Sequence, residues 1–138
     1  MAGLLLCDDL IFASRVAATA RALGLAVQTA RSPERLVELA RREPPGGVLI
    51  DLGHPGLDLP ELLRQLSEVC PTPPRVMAYG SHVDAEGLRA ARMAGCDPVL
   101  PRSRLVEELE RQLPRWLGAW DGPASRGAET AGGAENSA

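Results

Sequence analysis

Three aspartates stand where short aliphatic runs end. Residues 4–7 read Leu-Leu-Leu-Cys and run into Asp8 and Asp9, and residues 48–50 read Val-Leu-Ile and run into Asp51. If the two runs lie side by side, their three carboxylates repel one another, which is costly unless a cation sits among them. Hard oxygen donors of this kind suit Mg²⁺, which takes one or two carboxylates and keeps several waters. Two histidines, His54 and His82, fall near the same aspartates in the expected arrangement. Imidazoles beside carboxylates are also the donors of a transition-metal site, as in a small metal-dependent hydrolase using Asp8, Asp9, Asp51 and the histidines. No separate general base or substrate-binding motif accompanies them, so that reading ranks last. Each residue has a plainer reading beside the chemical one. Asp8 and Asp9 could cap a following helix, where carboxylates suit the positive end of the macrodipole. Asp58 reads as a helix-start residue, the histidines as surface loop residues, and Arg102 either as a structural partner of the carboxylates or as a phosphate-facing group.

Composition narrows the chemistry further. The 138 residues include fifteen basic side chains, all of them arginine, and eighteen acidic ones, for a formal charge of −3. With no lysine, Schiff-base, P-loop and lysine general-base chemistry are excluded. The acidic balance argues against binding a phosphate backbone. Phe12, Tyr79, Trp116 and Trp120 are the only aromatics, too few to form a stacking platform for single-stranded nucleic acid. Cys7, Cys70 and Cys96 form no C-x-x-C pair and read as buried small hydrophobes of a reducing compartment. The apolar start lacks a basic flank and is too short for a signal peptide, and nothing approaches a membrane span. The expected setting is cytoplasmic, without membrane or nucleic-acid partners.

The elements that must position these residues follow from the hydrophobic pattern. Strands are expected at residues 4–7, 25–27, 48–51, 75–79 and 99–100, the apolar runs marking buried strands. Helices are expected between them: residues 10–23, ended by Gly24; one opened by Ser32-Pro33; one opened by Pro60; one capped by Asp84 and ended by Gly95; and one capped by Ser103, kinked or divided at Pro114. Trp116 and Trp120 are expected to cover the domain edge, and Arg31, Arg35, Arg41 and Arg42 to form a solvated face. Residues 1–120 make one domain, and residues 121–138, rich in Gly, Ala, Ser and Glu, read as a disordered tail. Alternating strands and helices predict an α/β fold with a parallel sheet, and at this size the flavodoxin-like, doubly wound order 2-1-3-4-5. In that sheet the loops after the strands converge on one crevice and bring Asp8, Asp9, Asp51, His54, Ser81, His82 and Arg102 to it.

In order and on these elements, the motifs resemble the receiver (CheY-like) domain of bacterial response regulators. The resemblance rests on Asp8-Asp9 after the first strand and Asp51 after the third. It is joined by Asp51, Pro55 and Asp58 in an Asp-x-x-x-Pro-x-x-Asp pattern and by the turn Gly95-Cys96-Asp97. It covers residues 3 to about 118 and implies that Asp51 is the phospho-acceptor. It further implies that Asp8, Asp9, Asp51 and the backbone carbonyl of Gly53 hold Mg²⁺. Phosphoryl transfer asks for in-line positioning and cations more than for protein functional groups. The departures from the family pattern lie in the readout. Arg102 stands for the family lysine, and Ser103 for the proline after it. Val99 stands for the strand-five aromatic, and Leu59 for the glycine after the second aspartate. The switch hydroxyl falls on Tyr79 counting from Pro74 and on Gly80 counting back from Gly95, with Ser81 the nearest small hydroxyl. The expected function is therefore a stand-alone pseudo-receiver in bacterial signal transduction, working by contact with another signalling protein, a kinase or an effector. Beyond self-phosphorylation and dephosphorylation at Asp51, no enzyme activity is expected. The expected surface is helix 4, strand 5 and helix 5, which would also serve a homodimer. The alternative is a phosphorelay receiver that phosphorylates on Asp51 with Mg²⁺ and Arg102.

Overall fold

A computed structural model describes residues 2–117, so the boundary at residue 120, the expected tail and Trp120 lie outside the described residues. Strands and helices alternate as β1 (Gly3–Leu6), α1 (Leu10–Ala22), β2 (Val27–Ala30), α2 (Pro33–Arg42), β3 (Gly47–Asp51), α3 (Leu59–Val69), β4 (Arg75–Gly80), α4 (Ala85–Met93) and β5 (Val99–Pro101). Helices α5 (Arg102–Glu107) and α6 (Leu109–Leu117) complete the order. The five strands form one sheet in the order β2-β1-β3-β4-β5, and every pairing is parallel.

The sheet is buried on both faces, and the two-residue period of its strands divides the core. Leu4 and Leu6 of β1, with Val48 and Ile50 of β3, face a cluster built with α2, α3 and α4. Leu5 and Cys7, with Leu49, Met77 and Tyr79, face the opposite cluster, built with α1, α5 and α6. Cys7, Cys70 and Cys96 are all buried and free, and burial pushes the Cys96 thiol up to about 11.

Local signals set the helix starts. Ser32 Oγ accepts from the Arg35 amide, and Pro33 occupies the first turn of α2. Asp58 caps α3 through the Glu61 amide, and Asp84 caps α4 through the Gly87 amide. Three expectations need correction. The second strand begins at Val27 rather than at residue 25, because Gly24 (φ +77°) closes α1 and the Leu25 amide still bonds back to the Ala20 carbonyl. The last helix starts at Arg102 with no side-chain cap, so Ser103 lies inside it. That helix divides at Glu108, not at Pro114. Arg104, Arg111 and Gln112 converge on the Glu108 carboxylate, and Pro114 sits inside α6 with its ring facing solvent.

Trp116 is part of the core rather than an edge cover. It is 1% exposed, and its Nε1 donates to the Arg75 carbonyl at 3.1 Å, pinning α6 beneath the amino ends of the strands. Gly47 makes room for it: a Cβ there would lie 2.6 Å from that nitrogen.

Candidate functional site

All the residues expected in the crevice lie at the carboxyl edge of the sheet, but they are not assembled as expected. Asp9 is the N-cap of α1: its Oδ1 accepts from the amides of Ile11 at 3.0 Å and Phe12 at 3.1 Å. Its other oxygen, Oδ2, takes a hydrogen bond from Arg102 Nη2 at 2.7 Å. Arg102 is the first residue of α5, directly after β5, and its guanidinium carbon lies 4.5 Å from the centroid of the Phe12 ring. The Arg102 hydrogen bond, and then the Phe12 amide, hold the Asp9 carboxyl below its ordinary range; Asp9 in turn raises Arg102.

Asp8 points elsewhere, to Arg31 Nη2 at 3.2 Å. Arg31 is thus not simply part of the expected solvated face. Arg35 and Arg42 do pair along α2 with Glu38, whereas Arg31 follows β2 and reaches across to the acidic pair. Parallel register brings the two strand ends together, since Leu6 pairs with Ala30 and Arg31 follows within reach of Asp8, one residue past its register position.

Asp51 ends β3 half-buried, with Oδ1 accepting from the Gly53 amide at 2.8 Å. It lines an open cleft of about 770 Å³ together with Ser81, His82, Arg102 and Glu107. Among the described residues no group of three or more His, Cys, Asp or Glu side chains stands together to hold a metal ion. Asp8, Asp9 and Asp51 therefore do not form the expected triad. With both oxygens of Asp9 engaged and Asp8 turned to Arg31, the acidic pair as placed does not form a ready-made ligand cluster for a divalent cation. The histidines do not supply a substitute. Both ring nitrogens of His54 face carbonyl oxygens, Pro55 at 3.0 Å and Arg31 at 2.8 Å, while His82 lies exposed on the cleft rim.

The register of β3 and β4 pairs Asp51 with Tyr79, so Tyr79 is the β4 residue beside the candidate acceptor. Its side chain packs into the core at the floor of the cleft that Asp51 lines. The phenol is 1% exposed and donates to Cys7 Sγ at 3.4 Å, and the ring tilts at 51° against Phe12, centroids 5.0 Å apart. Burial, then the Cys7 contact, raise its pKa far above the ordinary phenol range. Gly80 is buried and has no hydroxyl. Ser81 lies beyond the strand, exposed, with Oγ accepting from the Val83 amide at 3.3 Å. Val99 opens β5 and packs into the cluster with α2, α3 and α4.

Solved structures with the same architecture are numerous. A response regulator from Burkholderia pseudomallei, crystallised with a phosphorylated aspartic acid, calcium ion and citrate, matches at TM-score 0.69. The two chains are 22% identical over 94% of this chain and 72% of that one. A response regulator from Thermotoga maritima matches at TM-score 0.71 with 18% identity, over 86% of this chain and 98% of the other. The fold is the receiver fold. A third receiver match comes from Saccharomyces cerevisiae, in a co-crystal of a histidine phosphotransfer signalling protein with the receiver domain of its downstream response regulator. It has TM-score 0.70 and 16% identity over 84% of this chain and 88% of that one. No family model and no curated protein matches the sequence. Among the described residues no helix is long and apolar enough to cross a membrane.

Proposed function

We propose that this chain is a pseudo-receiver: a receiver-fold module of bacterial signal transduction that works by binding another signalling protein rather than by a phosphorylation-driven switch. The observation that carries the reading is Tyr79. The β4 residue in register with Asp51 is a bulky Tyr, and its buried hydroxyl donates to Cys7 rather than to the Asp51 carboxylate. Val99, fixed in the opposite cluster, has no aromatic ring to rotate in response. Ser81 is a small hydroxyl on the cleft, but it stands two residues past that register position, where its Oγ accepts from the Val83 amide.

The surface proposed for the partner, a kinase or an effector, is α4, β5 and α5, which would also serve a homodimer. Val83, just before α4, is 78% exposed and Met93, at its end, is 83% exposed, so the face offers large apolar side chains. The yeast co-crystal supports the idea that this fold meets protein partners. A specific observation keeps the phosphorelay reading as the second one. Asp51 opens on the cleft and shares it with Arg102, the arrangement a phosphoryl group would need from an acceptor and a counter-charge. The two readings part in an amide chemical-shift experiment with beryllofluoride, a mimic of an aspartyl phosphate. The pseudo-receiver leaves the α4-β5-α5 face unmoved.

A further inference from the structure

We infer that Arg102 is a built-in counter-ion for the acidic pair, standing in for a divalent cation and keeping one out. The inference rests on reading the carboxyl edge as a receiver site. Asp9 has no free oxygen: two backbone amides of α1 occupy one and Arg102 the other. A metal ion at Asp9 would compete with the guanidinium on one oxygen and with the first amides of α1 on the other.

The guanidinium is held from below as well as from the side. It lies over the face of Phe12, which is 3% exposed and wedged against Tyr79, itself anchored on Cys7. A planar, weakly hydrated cation suits this seat, where it can stack on the ring and reach the carboxylate edge at once. The compact ammonium of a lysine could not do both. Arg31 balances Asp8 in the same way, so the acidic pair is matched by two permanent cations. Divalent-ion affinity in an oxygen site grows with its uncompensated carboxylate charge, and of the three aspartates this leaves Asp51 alone without an ion pair among the described residues. The substitution of the family lysine by arginine thus becomes a specific device.

The test is a Mn²⁺ titration of the full chain, read as paramagnetic broadening of the backbone amides near Asp9 and Gly53. The wild-type chain is expected to show no site-specific broadening at submillimolar Mn²⁺. Arg102→Ala, which frees Asp9 Oδ2, is expected to bind at least about tenfold more tightly, the scale on which partners of metal ligands act. Adding Asp9→Asn to Arg102→Ala should abolish the gain. Arg102→Lys, a change at an exposed helix start, provides a second variant should the alanine chain unfold, and is expected to gain binding as well. Wild-type broadening with the same Mn²⁺ dependence as the variants would overturn the inference, and so would a folded Arg102→Ala or Arg102→Lys chain that binds no better than wild type. Either result concerns only the charge at Asp9. The pseudo-receiver reading fails separately, on a shift of the α4-β5-α5 face with beryllofluoride.

Discussion

The phenol of Tyr79 lies 3.4 Å from the sulfur of Cys7, a buried bond that reaches from β4 past β3 to the residue that follows β1. This pairing uses up, inside the core, the only hydroxyl in register with Asp51. It also fixes Phe12, and Phe12 carries Arg102. The loss of a switch group and the seating of a resident cation are therefore two consequences of one aromatic side chain.

Tyr79→Phe removes the hydroxyl and keeps the ring. A thiol sulfur is a weak acceptor, so the expected cost is about 1 kcal/mol or less. Tyr79→Thr supplies a small hydroxyl at the same register but empties the ring's volume from the core, with an expected cost of about 3 kcal/mol or more. Urea unfolding of the two variants checks the contrast, and equal losses would show that the ring is not packed as described.

The strands that cross the middle of the sheet were legible in the sequence because burial on both faces leaves a continuous apolar run, as in Leu4, Leu5 and Leu6 or Val48, Leu49 and Ile50. The edge strand was not. In β2 only Ala30 is fully buried and Gln28 and Thr29 are polar, so its pattern carries little apolar signal, and the nearby Leu25 drew the strand two residues early. The aspartates could be placed at the carboxyl edge from the strand ends alone. The choice among their roles could not be made that way: cap and metal ligand for Asp9, ion partner and phosphate-facing group for Arg102 are all compatible with the sequence. The two residues are 93 positions apart, and the outcome turns on a rotamer. Composition also drew Arg31 into a solvated face, although at the end of β2 its side chain reaches across to Asp8 after β1.

Stability should fall on acidification in a way set by Glu108. Three side chains, led by Gln112 and followed by Arg104 and Arg111, hold its carboxyl down to about 2 from an ordinary 4.5. A depressed folded-state value means the contribution is complete above about 4.5 and is lost as pH falls towards 2. Glu108→Gln should flatten the acid limb across that window, measured as the pH dependence of the urea midpoint. An unchanged slope would remove Glu108 from the account of the α5–α6 junction.

Gly47→Ala tests the seat of Trp116. The added methyl would meet Nε1 at 2.6 Å, and the indole is held in place by the Arg75 carbonyl. A forced shift in a packed core costs about 1–3 kcal/mol, so a lower thermal midpoint is expected, with weakened protection of the Trp116 indole proton from exchange. A wild-type midpoint and wild-type protection would contradict the packing of α6 beneath the sheet.

The most direct measurement of the central claim is the backbone amide spectrum of the full chain before and after addition of Mg²⁺ with beryllofluoride. A pseudo-receiver predicts that resonances of α4, β5 and α5, including Met93 and Val99, stay in place, whatever happens at Asp51 itself. A concerted shift of that face would show that a phosphoryl mimic is read out despite Tyr79, and would contradict the account.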